Sequence, residues 1–294
     1  MSLDAIFFDV DDTLFSTSEF AARARLASCE AMHAVGLKLE PAVLLAELEE
    51  VVAEFTSNYD HHFDQLLRRI PRRHYKGVNP AVITAAAVIA YHGTKQSELS
   101  PFPDAIALLE DLARLELVRG VISSGLSVKQ AEKLLRLGVY PYLTPTAIYI
   151  SEQIGINKPN VKLYRRACSD LNLRPARCMY VGDHPARDID PANALGMVTV
   201  RLRRGGRHDK AGLGQSAARH EIRHYDELRA LLVRDYGLAL PPPRGAAAQD
   251  AGVGGDGAGQ SGHNGGDRSH GQAREAGGAR GGEGSAAAPG EAVG

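Results

Sequence analysis

The sequence predicts an α/β protein: a parallel sheet covered by helices on both faces, with an all-helical unit let in near the chain start. Three observations point there. Strand-length apolar runs alternate with segments of helical spacing between about residues 105 and 202, the signature of a parallel sheet with covered faces. Residues 16–97 carry helical patterns and no convincing strand. The first apolar run, Ala5-Ile6-Phe7-Phe8, is short and unbroken, which suits a central strand buried on both sides.

Each element follows from local chemistry. After the strand at 5–8, Ser16-Thr17-Ser18-Glu19 has the S-x-x-E form of a capping box, and a helix is expected from there to the Gly36 stop. Pro41 can open a second helix, with Leu44, Leu48, Val51, Val52 and Phe55 on one face. Phe63, Leu66, Leu67 and Ile70 repeat the period before Pro71, and a fourth helix is expected over 80–91. A helix at 105–115 then leads to a strand at 117–122. Ser127 and Gln130 form a second capping box ahead of a helix at 128–137 that Gly138 closes. A strand at 147–150, a helix at 159–171, a strand at 178–181, a short helix at 191–195 and a strand at 197–202 complete the alternation. The domains expected are therefore a catalytic core of 1–15 and 98–236 and a helical cap of 16–97. Beyond them, 237–294 is Gly/Ala-rich and opens on Pro241-Pro242-Pro243; it offers too little apolar surface to offset its ordering entropy, so a disordered tail is expected.

Composition narrows the partners. With 294 residues and 44% hydrophobic content the chain can bury a full core. A formal net charge of -1 provides no field that would draw it to nucleic acid or an anionic membrane. No basic leader precedes the first apolar run and no segment reaches a membrane span, so a cytoplasmic location is expected. Cys29, Cys168 and Cys178 are odd in number and lack metal-ligand spacing, which fits buried, reduced thiols. Oligomeric state is open, with a homodimer among the expectations.

Chemistry begins where the first strand ends. Asp9 and Asp11 lie two apart, so in extended chain their side chains converge on one metal ion or one phosphate. A Ca²⁺ loop of the EF-hand type fails, because Leu14 and Phe20 stand where Gly and Glu are needed. The residues after the later strands complete a set: Ser123-Ser124-Gly125, then Lys158, then Asp183 with Asp188 five further on. Asp9 can attack a phosphate ester to form an aspartyl-phosphate. Asp11 can protonate the leaving alkoxide and deprotonate the attacking water; for this it must hold a proton near neutral pH, against a balance of burial, a neighbouring carboxylate and a cation. Ser123 and the following amides at a helix start can bind phosphoryl oxygens, while Lys158 supplies positive charge. Asp183 completes an oxygen site suited to Mg²⁺, and Asp188 can ligate or orient Lys158.

These residues carry a resemblance. Asp9-Val10-Asp11-Asp12-Thr13, Ser123 in Val121-Ile122-Ser123-Ser124-Gly125, Lys158 in Asn157-Lys158-Pro159, and Gly182-Asp183 with Asp188 match the four motifs of the haloacid-dehalogenase-like hydrolases, the superfamily of aspartate-nucleophile phosphatases. The resemblance covers about 4–236. It implies a Rossmann-like core, a helical cap after the first motif, Mg²⁺, and metal ligation by Asp9, the main-chain carbonyl of Asp11, and Asp183. It also puts Thr13 with Ser123, Ser124 and Gly125 on the substrate side. The cap segment from Asn58 to Arg69 and Val128-Lys129-Gln130 are similar to a subgroup described as glyceraldehyde 3-phosphate phosphatases. His61, His62 and Arg68 are the cap residues expected to touch substrate. Two departures stand out: Ser123-Ser124 where threonine and a larger polar residue are commoner, and His184-Pro185 after Asp183.

The function expected is a Mg²⁺-dependent phosphatase of a small phosphorylated metabolite. A sugar-phosphate mutase of the same superfamily and a non-catalytic phospho-ligand-binding protein are the alternatives. A haloacid dehalogenase would have no use for Asp11 as an acid, and a phospho-acceptor signalling domain would carry its aspartate after a later strand.

Overall fold

The computed structural model describes residues 2–56, 58–205, 208–209 and 214–244. Its core is one sheet of six strands: β1 (Ala5–Phe8), β2 (Val118–Ser123), β3 (Ile148–Ile150), β4 (Cys178–Gly182), β5 (Val198–Leu202) and β6 (His220–Ile222). The order is β3-β2-β1-β4-β5-β6 and every pairing is parallel. Because β1 lies between β2 and β4, all four of its residues are buried. Alternation along the strand sends them to opposite faces. Ile6 and Phe8 join one apolar cluster, with Leu108, Leu112, Val181 and Leu228, while Ala5 and Phe7 join the other, with Ile122, Tyr164 and Tyr180.

Four helices, α1 (Thr17–Ala34), α2 (Pro41–Phe55), α3 (His62–Arg69) and α4 (Pro80–Glu98), follow β1, with no strand between them among the described residues. They gather a third apolar cluster that includes Met32, Leu44, Leu48, Val51, Leu66 and Ile83. Ser16 caps α1 as its spacing suggests, accepting the Glu19 N–H at 3.3 Å. Phe55 departs from the pattern: it stands 37% exposed and stacks on Tyr59. The fourth helix outruns its apolar pattern, continuing to Glu98.

The rest alternates as expected, through α5 (Pro103–Leu112), α6 (Ser127–Arg136), α7 (Ser151–Ile154), α8 (Val161–Asp170), α9 (Asp190–Leu195) and α10 (Tyr225–Tyr236). Four details correct the sequence reading. The capping box at Ser127 and Gln130 does not form, because Leu126 takes the cap position and the Ser127 N–H goes to Glu152 at 2.7 Å. The helix expected at 159–171 starts later than its pattern suggests: Lys158 and Pro159 precede α8, whose start is capped by the Asn160 side chain. The basic run Arg201, Arg203, Arg204 and Arg207, which from sequence reads as a solvated loop after the last strand, is paired instead where it is described: Arg201 lies buried in β5, Arg203 pairs with Asp209 and Glu221, and Arg204 pairs with Asp104 at 2.7 Å. Arg207 lies outside the described residues.

The fourth correction concerns the tail. Its first residues belong to the packed protein, since Leu238 and Leu240 lie against the β1 core and the Pro241 carbonyl accepts from Arg229 at 2.8 Å. Arg244 reaches Glu110 at 2.5 Å. The expectation of disorder over 245–294 falls outside the described residues.

Arg229 and Asp111, whose side chains are 3% and 1% exposed, meet at 2.8 Å and join α10 to α5. Removing one partner of a buried pair strands the other charge in low dielectric. Asp111→Ala is therefore expected to lower unfolding free energy by about 3–5 kcal/mol in urea denaturation. A loss below about 1 kcal/mol would show that the pair is dispensable.

Candidate active site

Parallel register brings the sequence motifs to one edge. Phe8 pairs with Val121 on one side and Val181 on the other, so Asp9, Ser123 and Gly182 follow at the same carboxyl end. The Asp9 N–H extends the ladder to the Val181 carbonyl at 2.9 Å, which fixes its backbone. Lys158 enters from the segment before α8 and is 6% exposed. Its three ammonium hydrogens meet Asp9 Oδ1 at 2.6 Å, Asp188 Oδ1 at 2.7 Å and Tyr180 Oη at 2.6 Å. Asp188 Oδ2 accepts the His184 N–H at 3.0 Å. Gly182 makes room for this, because a Cβ there would lie 2.6 Å from Asp188 Oδ2.

Asp9, Asp183 and Asp188 can each present a carboxylate oxygen within 4.8 Å of the others. Burial is the main reason that Asp9 is pushed up to about 7; Lys158 opposes the shift, and Asp188 and Asp11 add to it. Asp183 is pushed up to about 9 by burial first, then by Asp188 and Asp9. Burial alone would lower Lys158, but the Asp188 and Asp9 carboxylates outweigh it and hold the ammonium charged. One lysine faces three carboxylates, so the cluster must take up protons or a second cation. The donor set fits Mg²⁺: all ligands are hard oxygens, and Asp183 Oδ2 is buried with no hydrogen-bond partner. Both Asp188 oxygens already serve Lys158, Tyr180 and His184, which favours an orienting role over direct ligation.

The Asp11 side chain stands apart from that trio. Its Oδ1 accepts from Thr17 at 2.8 Å and Lys133 at 2.6 Å, and its Oδ2 from Gln130 at 3.1 Å and Lys133 at 2.8 Å. Burial would raise its pKa, but the Lys133 ammonium and these hydrogen bonds prevail and hold it below the usual carboxylate range. The balance left open by the sequence thus falls toward the ionised form when no substrate is bound. Gln130 and Lys133 were not singled out as site residues from sequence, Gln130 being assigned to a helix cap. The available signal was their spacing of three on the amphipathic helix directly after the second motif.

On the phosphate side, the Ser123 hydroxyl donates to Gln130 Oε1 at 3.3 Å, and Ser124 Oγ is buried without a partner. Thr13 Oγ1 is likewise buried and unpartnered. Gly125 differs from its expected role, because its N–H is engaged by Ser151 Oγ at 2.9 Å. Its φ of +144° and lack of a side chain instead admit Gln130, whose Nε2 would lie 2.6 Å from a Cβ. Nor is Ser123 at a helix start, since α6 begins four positions later at Ser127. In the helical segment, His62 Nε2 bonds the Thr56 carbonyl at 2.7 Å, His61 pairs with Asp64, and Arg68 is exposed. Neither His62 nor Arg68 joins the hydrogen-bonded network around Asp9. Asp60 reaches Lys129 of α6 at 2.6 Å, Lys95 of α4 pairs with Glu132 of the same helix, and Thr17 of α1 bonds Asp11.

Carboxylates, a buried lysine and hydroxyls are thus collected at the carboxyl edge of a parallel sheet, the arrangement expected of a phosphoryl-transfer site. A family model of haloacid dehalogenase-like hydrolases matches residues 3–196, and the chain belongs to that family. The glyceraldehyde 3-phosphate phosphatase of Methanopyrus kandleri is 45% identical over 210 residues, covering 70% of this chain and 87% of that protein. Its namesake in Methanocaldococcus jannaschii is 36% identical over 203 residues, 69% of this chain and 86% of that one. Among solved structures, the HAD-hydrolase YfnB of Bacillus subtilis, bound to magnesium, superposes with a TM-score of 0.56 at 19% identity, covering 79% of this chain and 99% of that one; this likeness speaks for the fold.

Raised carboxylate pKa values have a thermodynamic sign. Between the ordinary 3.8 and the raised values of Asp9 and Asp183, the folded protein holds protons that the unfolded chain has released. Cation-free stability therefore falls as pH rises through that window, and a cation must displace fewer protons at the upper end. Saturating Mg²⁺ is expected to raise the thermal midpoint by about 5 °C at pH 8 and by clearly less at pH 5.5. An equal shift at both pH values, or none, would contradict a cation held by Asp9 and Asp183.

Proposed function

We propose that this protein is a Mg²⁺-dependent phosphatase that hydrolyses a small phosphorylated metabolite through a covalent intermediate on Asp9. Glyceraldehyde 3-phosphate is the first substrate to test, because the relatives of 36–45% identity carry that name. The observation that carries the reading is the conjunction at one sheet edge of a Lys158-bound Asp9 with unpartnered buried atoms on Thr13, Ser124 and Asp183. Unpaired buried hydroxyls cost free energy, and a phosphate monoester supplies the acceptors they lack.

The residues divide the work. An Asp9 oxygen attacks phosphorus as the ester P–O bond breaks, and Lys158 holds the carboxylate in line while offsetting charge that accumulates beside Asp188. Asp11 delivers a proton to the departing alkoxide. The negative charge of an arriving phosphate favours the protonated form of Asp11, which its ionised resting state then acquires from solvent. Water next attacks the aspartyl-phosphate and gives its proton to Asp11, releasing inorganic phosphate and restoring Asp9. Ser123 and Ser124 hydroxyls bind the phosphoryl oxygens. Asp9 and Asp183 would hold Mg²⁺, which would supply positive charge against the phosphoryl group. The helices between 16 and 98 serve as the cap that covers the site and selects the leaving group.

A panel of phosphorylated metabolites, glyceraldehyde 3-phosphate among them, is expected to release phosphate with Mg²⁺ and to stop with EDTA. Asp9→Asn should lower kcat by about three orders of magnitude while leaving the fold intact. Strong turnover in EDTA, an isomerised sugar phosphate in place of free phosphate, or an active Asp9→Asn variant would overturn the reading.

A further inference from the structure

Asp11 is gripped in a way that its own segment does not require. An aspartate side chain, here 31% exposed, would ordinarily sample several rotamers. Instead both oxygens are occupied, from α1 by Thr17 and from α6 by Gln130 and Lys133. The Gln130 amide, 4% exposed, is fully used: Nε2 donates to Asp11 Oδ2 and to the Ser124 carbonyl at 3.0 Å, and Oε1 accepts from Ser123 Oγ. One amide group therefore spans the acid and the phosphate-binding hydroxyl.

We infer that Gln130 and Lys133 are positioning residues for proton transfer at Asp11, fixing its carboxyl group relative to the phosphate-binding Ser123. This deepens the phosphatase reading and rests on it. When a phosphoryl oxygen takes the hydrogen bond of Ser123, Gln130 keeps its bonds to Asp11 and Ser124, so the acid stays placed as substrate arrives. Lys133 chelates both Asp11 oxygens and removes rotation about the Cβ–Cγ bond. In the first half-reaction the Asp9–phosphorus bond forms, the ester bond breaks, and the electron pair left on the ester oxygen takes the proton from Asp11. An alkoxide leaving group needs that proton, whereas p-nitrophenolate departs without it. The same α6 also pairs through Lys129 with Asp60 and through Glu132 with Lys95, so it links the acid to the helical segment above.

The test compares kcat/KM, which reports steps up to loss of the leaving group, for glyceraldehyde 3-phosphate and p-nitrophenyl phosphate. Lys133→Met is expected to lose about 30-fold or more on the alkyl ester and about fivefold at most on the aryl ester. Gln130→Leu should show the same split, and Lys133→Arg should recover most of the alkyl activity. Equal losses on both esters, or an undiminished alkyl ester, would overturn the inference. A wild-type protein that releases phosphate from neither ester overturns the phosphatase reading first.

Discussion

Burying three carboxylates at the ends of two neighbouring strands is possible here because one ammonium lies among them. Lys158 donates to Asp9 after β1, to Tyr180 within β4 and to Asp188 in the turn that follows β4. Taking such charges out of water is expensive unless every donor and acceptor is matched. The lysine meets that condition with three hydrogen bonds, and Tyr180 extends the matching to the Ile122 carbonyl at 3.1 Å. The same contacts aim Asp9, so the group that makes the fold tolerable also orients the proposed nucleophile.

That compensation is incomplete, and the remainder is chemically useful. Asp183 keeps a buried oxygen with no partner, and the raised pKa values of Asp9 and Asp183 express the same excess of negative charge. A divalent cation relieves it more fully than protons do, since it serves both carboxylates at once. Asp11 lies under the opposite influence, drawn down by Lys133 from another helix. Two aspartates two residues apart thereby acquire opposite protonation tendencies from different neighbours.

Much of this was legible in the sequence. The strand at 5–8, the alternation after 105 and the residues ending each strand place Asp9, Lys158, Asp183 and Asp188 together, because parallel register carries strand ends to one edge. What escaped depends on side chains that reach across elements. Gln130 has the spacing of a helix cap, yet tertiary contacts turn it inward to Asp11; Lys133 has the look of a surface lysine on a polar helix. Gly125 has the look of a phosphate-loop amide, but it is the neighbour that leaves room for Gln130. The strand at 220–222 is three residues long and only its last is buried, too little pattern to register. Leu238 and Leu240 are two apolar residues at the edge of a Gly/Ala-rich stretch, and composition averaged over that stretch hides them.

The most direct measurement is chemical trapping of the intermediate. Protein quenched in acid during turnover and reduced with borohydride would convert an aspartyl-phosphate to homoserine, which peptide mass spectrometry can locate. Homoserine at position 9 is the expected result. Reduction at another carboxylate, or steady phosphate release with no reduced residue, would contradict a nucleophilic Asp9.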